Sequence, residues 1–454
     1  MYASDEEDSI DDRQRWSPAT LSRGEPASSA RREPSREGMA RPREARGWQG
    51  GRRVPSAHGG TLPGFPSQNA ALLGKNASAT STRARWISRP FVRLLATNMA
   101  FGFSISCFYL LPKHLTVTYA ATPGTIGAVM GIFGLTCVLI VPWLGPAVNA
   151  LGLARTICLS QILMAACSFA FALLDGFGPA MLFLRTLQGL ATAGVSTAAV
   201  AMVCELAPAD KLGQAMGLAG AASLIMNAIA PAVAEPIGSR FGFRWVFALS
   251  GVAALLGFSF ARKLPAHARK LGATSRIAIP RRTRPILLAL AISGAGFYVV
   301  MAFLAPLAMS RGVAAVSGFF AAYTLAALTI RVLGHAWTDR LGLRRTATVA
   351  MLSYGAAITA IAGVGPRSLV CLGLLFGLAH GALFPALMAL LFHDAEPAER
   401  AKLAAFANGV MNLGMLTVLG FGQLANHFGL VSVFLTTGTL VAASAFLRDK
   451  VSSS

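Results

Sequence analysis

From Phe91 onward the chain is a succession of apolar stretches, each long enough to cross a hydrocarbon core of about 30 Å as a helix. Twelve can be placed, at about 94–112, 124–148, 153–174, 178–204, 213–238, 244–261, 285–309, 312–333, 346–364, 368–392, 402–425 and 429–447. Lipid offers no partner to a backbone N–H or C=O, so a crossing segment must satisfy its own hydrogen bonds, and an isolated strand cannot. The pattern therefore predicts an all-α polytopic membrane protein. Composition agrees: 54% of residues are hydrophobic, 13% are charged and mean hydropathy is +0.57, whereas soluble domains carry about 25% charged residues.

Charge sets the topology. Residues 1–93 hold 10 of the 19 acidic and 16 of the 40 basic side chains. This leading part, rich in Arg, Ser, Pro, Gly and Ala, has no apolar period, and 1–90 reads as a disordered cytoplasmic tail or as lying before a later start such as Met39. It shows no signal-peptide h-region. Beyond it, the break after the sixth segment, "ARKLPAHARKLGATSRIAIPRRTRP", carries eight Lys/Arg and no acid. Further bases, Arg340, Arg344, Arg345, Arg400 and Lys402, fall on the same side. Lys113, Arg240, Arg244, Arg311 and Arg367 are scattered in the short breaks opposite. The positive-inside rule then puts both termini in the cytoplasm of a multi-pass inner-membrane protein. The net charge of +21 is a topology signal on this reading, and nucleic acid is not an expected partner. Six cysteines without metal-ligand spacing read as small packing residues, with no metal site.

The chain also repeats itself. "GPAVNALGLART" (145–156) and "GHAWTDRLGLRRT" (334–346) share LGL-x-RT. "GFSISCFYLLP" (102–112) matches "GFYVVMAFLAP" (296–306), and "SRFGFRWVF" (239–247) matches "NHFGLVSVF" (426–434). Three echoes in one order predict two six-helix bundles, 91–262 and 285–448, joined by a basic linker at 263–284 and followed by a short tail at 449–454. A repeated six-helix unit is a transporter architecture, with its solute site between the repeats near the midplane.

On these residues the chain resembles the major facilitator superfamily over 91–450. Asp339, Arg340, Gly342, Arg344 and Arg345 are similar to that family's G-x-x-x-D-R-x-G-R-R/K loop, with Gly334 one place early. "RTLQGLATAG" (185–194) is similar to its R-x-x-Q-G motif, and "APAVAEP" (230–236) keeps only Pro231 of the antiporter motif G-P-x-x-G-G. The resemblance implies twelve helices in two pseudo-symmetric bundles and alternating access. It also implies a gating latch in which Asp339 accepts N–H groups from the first turn of the fifth helix, near Gly213. Such a charge–dipole contact is worth about 0.3–1 kcal/mol when exposed and about 2 kcal/mol when partly buried. The first copy of the loop has Asn149 and Ala150 instead, ahead of Gly152; Asn149 can still cap a helix but brings no charge.

Several polar residues fall inside apolar segments. Arg185 lies at bilayer depth, where a charge costs about 2.5–3.5 kcal/mol, so it should face the interior with Gln188 beside it. There it meets a solute, an acidic partner or backbone carbonyls. Glu235 is a candidate proton carrier or a helix-end residue paired with Arg240. His380, central in the tenth segment, is the other titratable candidate, against a plain packing role. Asn98, Phe101, Tyr109, Tyr298 and Phe384 are candidate cavity residues. The first segment has no Asp or Glu, unlike many proton-coupled exporters of the superfamily.

The expectation is a secondary transporter, not an enzyme and without cofactors, that acts as a monomer on a small organic solute. The resemblance favours proton-coupled efflux of a drug-like compound or metabolite. The alternatives are an importer or facilitator of a sugar, organic acid or siderophore, and a non-transporting receptor or scaffold. No G-x-x-x-x-G-K-[ST] loop is present for nucleotide drive.

Overall fold

The structure, a computed structural model, describes residues 86–266, 283–333, 342–393 and 397–447, all within one unit, Ser81–Ser454. Nearly all of the predicted tail, most of the basic linker, and the loop segment with Asp339 and Arg340 lie outside the described residues.

Among the described residues every regular element is helical. In chain order these are α1 (Arg89–Cys107), α2 (Leu111–Tyr119), α3 (Pro123–Leu139), α4 (Val141–Leu151), α5 (Leu153–Ala172), α6 (Pro179–Leu206) and α7 (Leu212–Phe241). They continue with α8 (Phe243–Ala261), α9 (Arg284–Ser310), α10 (Ser317–Leu333), α11 (Leu343–Ile361), α12 (Leu369–Phe392), α13 (Pro397–Asn412) and α14 (Thr417–Leu447). Eight helical segments among them are long and apolar enough to cross a membrane, nine if the bent pair α3–α4 counts as one.

The starts follow local chemistry. Ser88 caps α1, its hydroxyl accepting the Phe91 N–H at 3.3 Å, with Pro90 in the first turn. The second segment, read as one rod, is broken: α3 and α4 meet at 61°. Pro142 and Pro146 follow the break, and each removes a backbone donor and crowds the carbonyl one turn back. α1 reaches α2 through a tight turn at Phe108–Leu110, just before Pro112.

The sequence echoes reappear as backbone. Gly152 and Gly342 take φ of 85° and 78° immediately before α5 and α11. In each copy the threonine four residues on returns both its N–H and its hydroxyl to that glycine's carbonyl, at 2.9–3.0 Å. Gly242 and Gly429, from the other echo, have φ of 93° and 80°. Positive φ is nearly free for glycine and costly for any residue with a Cβ, so the same sharp junction recurs where the same glycine does. At Gly429 this junction divides α14 into two stretches.

Packing repeats as well. α5 lies on α6 and α8, α1 on α8, and α3 on α6; in the later part α11 lies on α12 and α14, α9 on α14, and α10 on α12. Two seams join the groups, α3 against α14 and α7 against α10. The first seam is lined with glycine. A Cβ on Gly127 would come within 2.8 Å of Gly422 Cα, and one on Gly131 within 2.8 Å of the Leu419 side chain. The Gly124 N–H donates to Asn426 Oδ1 at 2.8 Å. Apolar association gains little between helices in lipid, so close backbone approach at small residues is what makes such a seam adhere.

Both seams are tight toward one end. Gly124, Gly127, Gly131 and Gly134 are buried, whereas Leu139, Val141 and Trp143 further along are exposed. On α7, Ala234, Glu235 and Gly238 are buried, whereas Gly213, Gly217 and Gly220 at its start have open space where a side chain would stand.

Candidate functional site

At the tight end, Lys113 on α2 meets Glu235 near the end of α7. The Lys113 ammonium donates to Glu235 Oε1 and to the carbonyl of Ala314. Glu235 Oε1 also accepts the N–H of Val316 at 3.0 Å, and Oε2 accepts that of Ser317 at 2.7 Å. Ser317 opens α10, so the carboxylate caps the positive end of a helix in the other repeat. Both partners are buried, with side chains 10% and 5% exposed. Arg240, the partner expected from proximity in sequence, instead extends over the Phe241 ring at 5.5 Å. In sequence Lys113 is one of the charges in the short breaks; only the fold brings it to a carboxylate 122 positions away.

Arg185 lies wholly inside the first repeat. Its Nε donates to the Val129 carbonyl at 3.2 Å and one terminal nitrogen donates to Gln188 Oε1 at 2.9 Å. The other terminal nitrogen reaches the Met130 sulfur at 3.8 Å. The guanidinium also stands over the Phe133 ring at 4.4 Å and near Phe108 at 5.7 Å. Of the partners the sequence allowed, a solute, an acid or carbonyls, the structure supplies a carbonyl, an amide and aromatic faces. Gln188 Nε2 is left buried without a partner.

Within the first repeat, the Ser106 hydroxyl donates to Asn227 Oδ1 at 2.9 Å and the Tyr109 hydroxyl reaches the same oxygen at 3.4 Å. The Tyr109 ring stacks on Phe320 of α10 with centroids 5.7 Å apart, crossing the seam one turn before Lys113. Phe101 is buried in the core, and Asn98 is half-buried with Oδ1 unpartnered. In the second repeat Tyr298 donates to Asn412 Oδ1 at 2.7 Å, and Phe384 packs half-buried against the core.

His380 is the centre of an aromatic cluster. Its ring stacks on Phe297 at 5.1 Å and on Phe376 at 5.9 Å, with Tyr354 at 5.4 Å and Tyr323 at 5.7 Å. Nδ1 pairs with the Tyr323 hydroxyl at 3.3 Å, while Nε2 is buried with no partner. The Tyr354 hydroxyl is likewise unpartnered. Arg331, near the end of α10, interacts electrostatically with both Tyr323 and His380. Its Nε is buried without a partner.

Of the latch residues, Gly342, Arg344 and Arg345 are described at the head of α11, both arginines exposed. Asn149 lies in the last turns of α4, exposed, and the residue at the N-cap of α5 is Gly152. Among the described residues no cluster of His, Cys, Asp and Glu is arranged to hold a metal ion.

Apolar helices long enough to span a membrane, repeated in sequence and joined along two seams, define a membrane transport protein. The chain belongs to the Major Facilitator Superfamily, whose pattern matches residues 94–367 and 286–452. It is a multi-pass transporter and not an enzyme. A protein of Cupriavidus pinatubonensis, described as a probable 4-methylmuconolactone transporter, is 27% identical over 365 residues, covering 74% of this chain and 83% of that protein. Among solved structures, the nucleoside transporter NupG superposes with a TM-score of 0.66 at 15% identity, covering 80% of this chain and 99% of that one. A D-xylose–proton symporter gives 0.65 at 16% identity, with 79% and 96% covered. A peptide transporter of the POT type gives 0.68 at 15%, with 84% and 98% covered. At these identities the structures establish the fold alone.

Proposed function

We propose that this protein is a secondary transporter that carries a small organic solute by alternating access between two six-helix halves, 91–262 and 285–448, crossing the membrane twelve times. The observation that carries this reading is the uneven seam. Lys113, Glu235 and the head of α10 tie the halves at one end, where Gly127 and Gly422 also touch. At the other end Gly213, Gly217 and Gly220 of α7 meet nothing. With the basic breaks in the cytoplasm, the tied end is the outer one, and this conformer is open to the cytoplasm of an inner-membrane protein with both termini inside. Glu235 then belongs to the outer gate.

That placement bears on direction and coupling. Proton-driven export is what the resemblance suggests, through the antiporter motif of which 230–236 keeps Pro231. However, the one carboxylate buried within a described apolar helix, Glu235, is already bonded to a cation and two backbone amides. His380 remains as a proton carrier. The relative described as a probable 4-methylmuconolactone transporter favours a second reading, an importer or facilitator of an organic acid. Purified protein in vesicles separates these readings when solute counterflow is measured with and without an imposed pH gradient. Flux above that of empty vesicles supports transport, and its response to the gradient reports coupling. No flux for any of a panel of sugars, nucleosides, organic acids and drug-like cations would leave the scaffold reading standing.

A further inference from the structure

The two halves treat the arginines of their apolar helices differently. In the first, each nitrogen of Arg185 has a protein contact and the guanidinium lies on aromatic faces. In the second, Arg331 has neither a hydrogen bond nor an ion pair among the described residues, and its buried Nε is unpartnered. Nearby groups are also incomplete: His380 Nε2 and the Tyr354 hydroxyl are buried without partners, although the His380 ring is stacked on Phe297 and Phe376 and the Tyr354 ring lies tilted against His380. Buried polar atoms in folded proteins nearly always have partners, so two unmatched ones in the His380 ring cluster, with Arg331 acting electrostatically on His380 and Tyr323, leave room for a partner from outside the chain.

Charge says what that partner is. Among the described residues Glu235 is the one buried carboxylate, and it is committed to Lys113. Asp175 and Asp210 are exposed near helix ends, and Glu205 lies in the last turn of α6. No described acid faces Arg331. A guanidinium is permanently charged and presents a planar fork that matches a carboxylate, while a neutral imidazole and a phenol each donate one hydrogen bond.

We propose that Arg331, His380 and Tyr354 bind the carboxylate of a small organic acid, so that the second half reads the solute's charge and Arg185 holds the first half together. This rests on the transporter reading and narrows it to monoanionic organic acids. Arg331 takes the carboxylate as a charged pair, and His380 Nε2 and the Tyr354 hydroxyl donate to its oxygens. Sugars, nucleosides and cationic drugs leave the guanidinium unmatched and are excluded.

The test is direct binding, kept apart from flux. Full-length protein in lipid nanodiscs is titrated calorimetrically with benzoate and with 4-methylmuconolactone, and in parallel with the methyl ester of each. The acids are expected to bind and the esters to bind at least tenfold more weakly. Arg331→Gln should lose at least tenfold in affinity for the acids, with Arg331→Lys intermediate. His380→Gln should lose several-fold, and it serves as the second variant if Arg331→Gln fails to insert. Absence of binding by either acid, equal binding of acid and ester, or unchanged affinity in both Arg331→Gln and His380→Gln overturns the assignment. Acid binding that depends on Arg331 without vesicle flux would uphold the site and overturn the transporter reading. Flux of an uncharged solute that is indifferent to Arg331→Gln would do the reverse.

Discussion

Glu235 and Lys113 form a buried ion pair that also fastens the head of α10, so one carboxylate joins α2, α7 and the opposite repeat. Removing one member of such a pair strands the other, at a cost of about 3–5 kcal/mol. The cost falls on the conformer in which the contact exists, so populations shift toward the state that lacks it.

Glu235→Gln should therefore open the sealed end. In a cysteine-free variant carrying Tyr109→Cys, one turn before Lys113, a membrane-impermeant maleimide added from the Glu235 side is expected to react at least tenfold faster. Lys113→Met combined with Glu235→Gln should fall between the single variants and the parent, because neither charge is left alone. Equal labelling in all of these proteins would mean that the pair does not hold the gate.

The glycine seam predicts a steric counterpart. A side chain at Gly127 has Gly422 Cα only 2.8 Å from its first carbon, and helix backbones cannot yield as a flexible side chain can. Gly127→Leu is expected to hold α3 away from α14, raise the same labelling and abolish flux. Gly145→Ala, where nothing lies within 4 Å, is expected to leave both unchanged. If Gly127→Leu transports normally, the seam does not close during the cycle.

Arg185 should behave as an internal strut. Lysine keeps the charge but cannot reach the Val129 carbonyl and the Gln188 amide at once, or lie flat on Phe133. Arg185→Lys is therefore expected to lower stability by about 1–3 kcal/mol, the cost of leaving a buried polar partner unmatched. Thermal unfolding in detergent checks this. An unchanged melting temperature with a raised KM would place Arg185 at the solute instead.

Much of this architecture was legible in the chain. The apolar segments announce helices, and the echoes at Gly152 and Gly342 return as matched positive-φ junctions with matched threonine bonds. Such features are local, since a glycine and a threonine four residues later contain the whole motif. The α3–α4 bend was missed although Pro142 and Pro146 mark it, because hydropathy runs on unbroken through both prolines. Lys113 and Arg331 were missed for another reason. Their meaning comes from groups far away in sequence, Glu235 in one case and His380 in the other, and no spacing rule reports which helices will touch.

The repeated loops allow a comparison with few confounding differences. Gly152 and Gly342 put α5 and α11 on the same backbone turn, but the second copy has Asp339 and Arg340 where the first has Asn149 and Ala150. Asp339 lies outside the described residues, so its partner is inferred from the family resemblance as the first turn of α7. That turn has no acidic side chain of its own to repel it. A carboxylate at a helix N-terminus contributes about 0.3–2 kcal/mol, and an asparagine in its place keeps the acceptor but loses the charge. Asp339→Asn is thus expected to slow vesicle flux several-fold, by destabilising the conformer closed to the cytoplasm, whereas Asn149→Ala changes it less than twofold. The rates are to be compared at low and high salt, because a charge–dipole contact near the surface weakens with ionic strength. If the two variants slow flux equally, the added charge contributes nothing to the cycle.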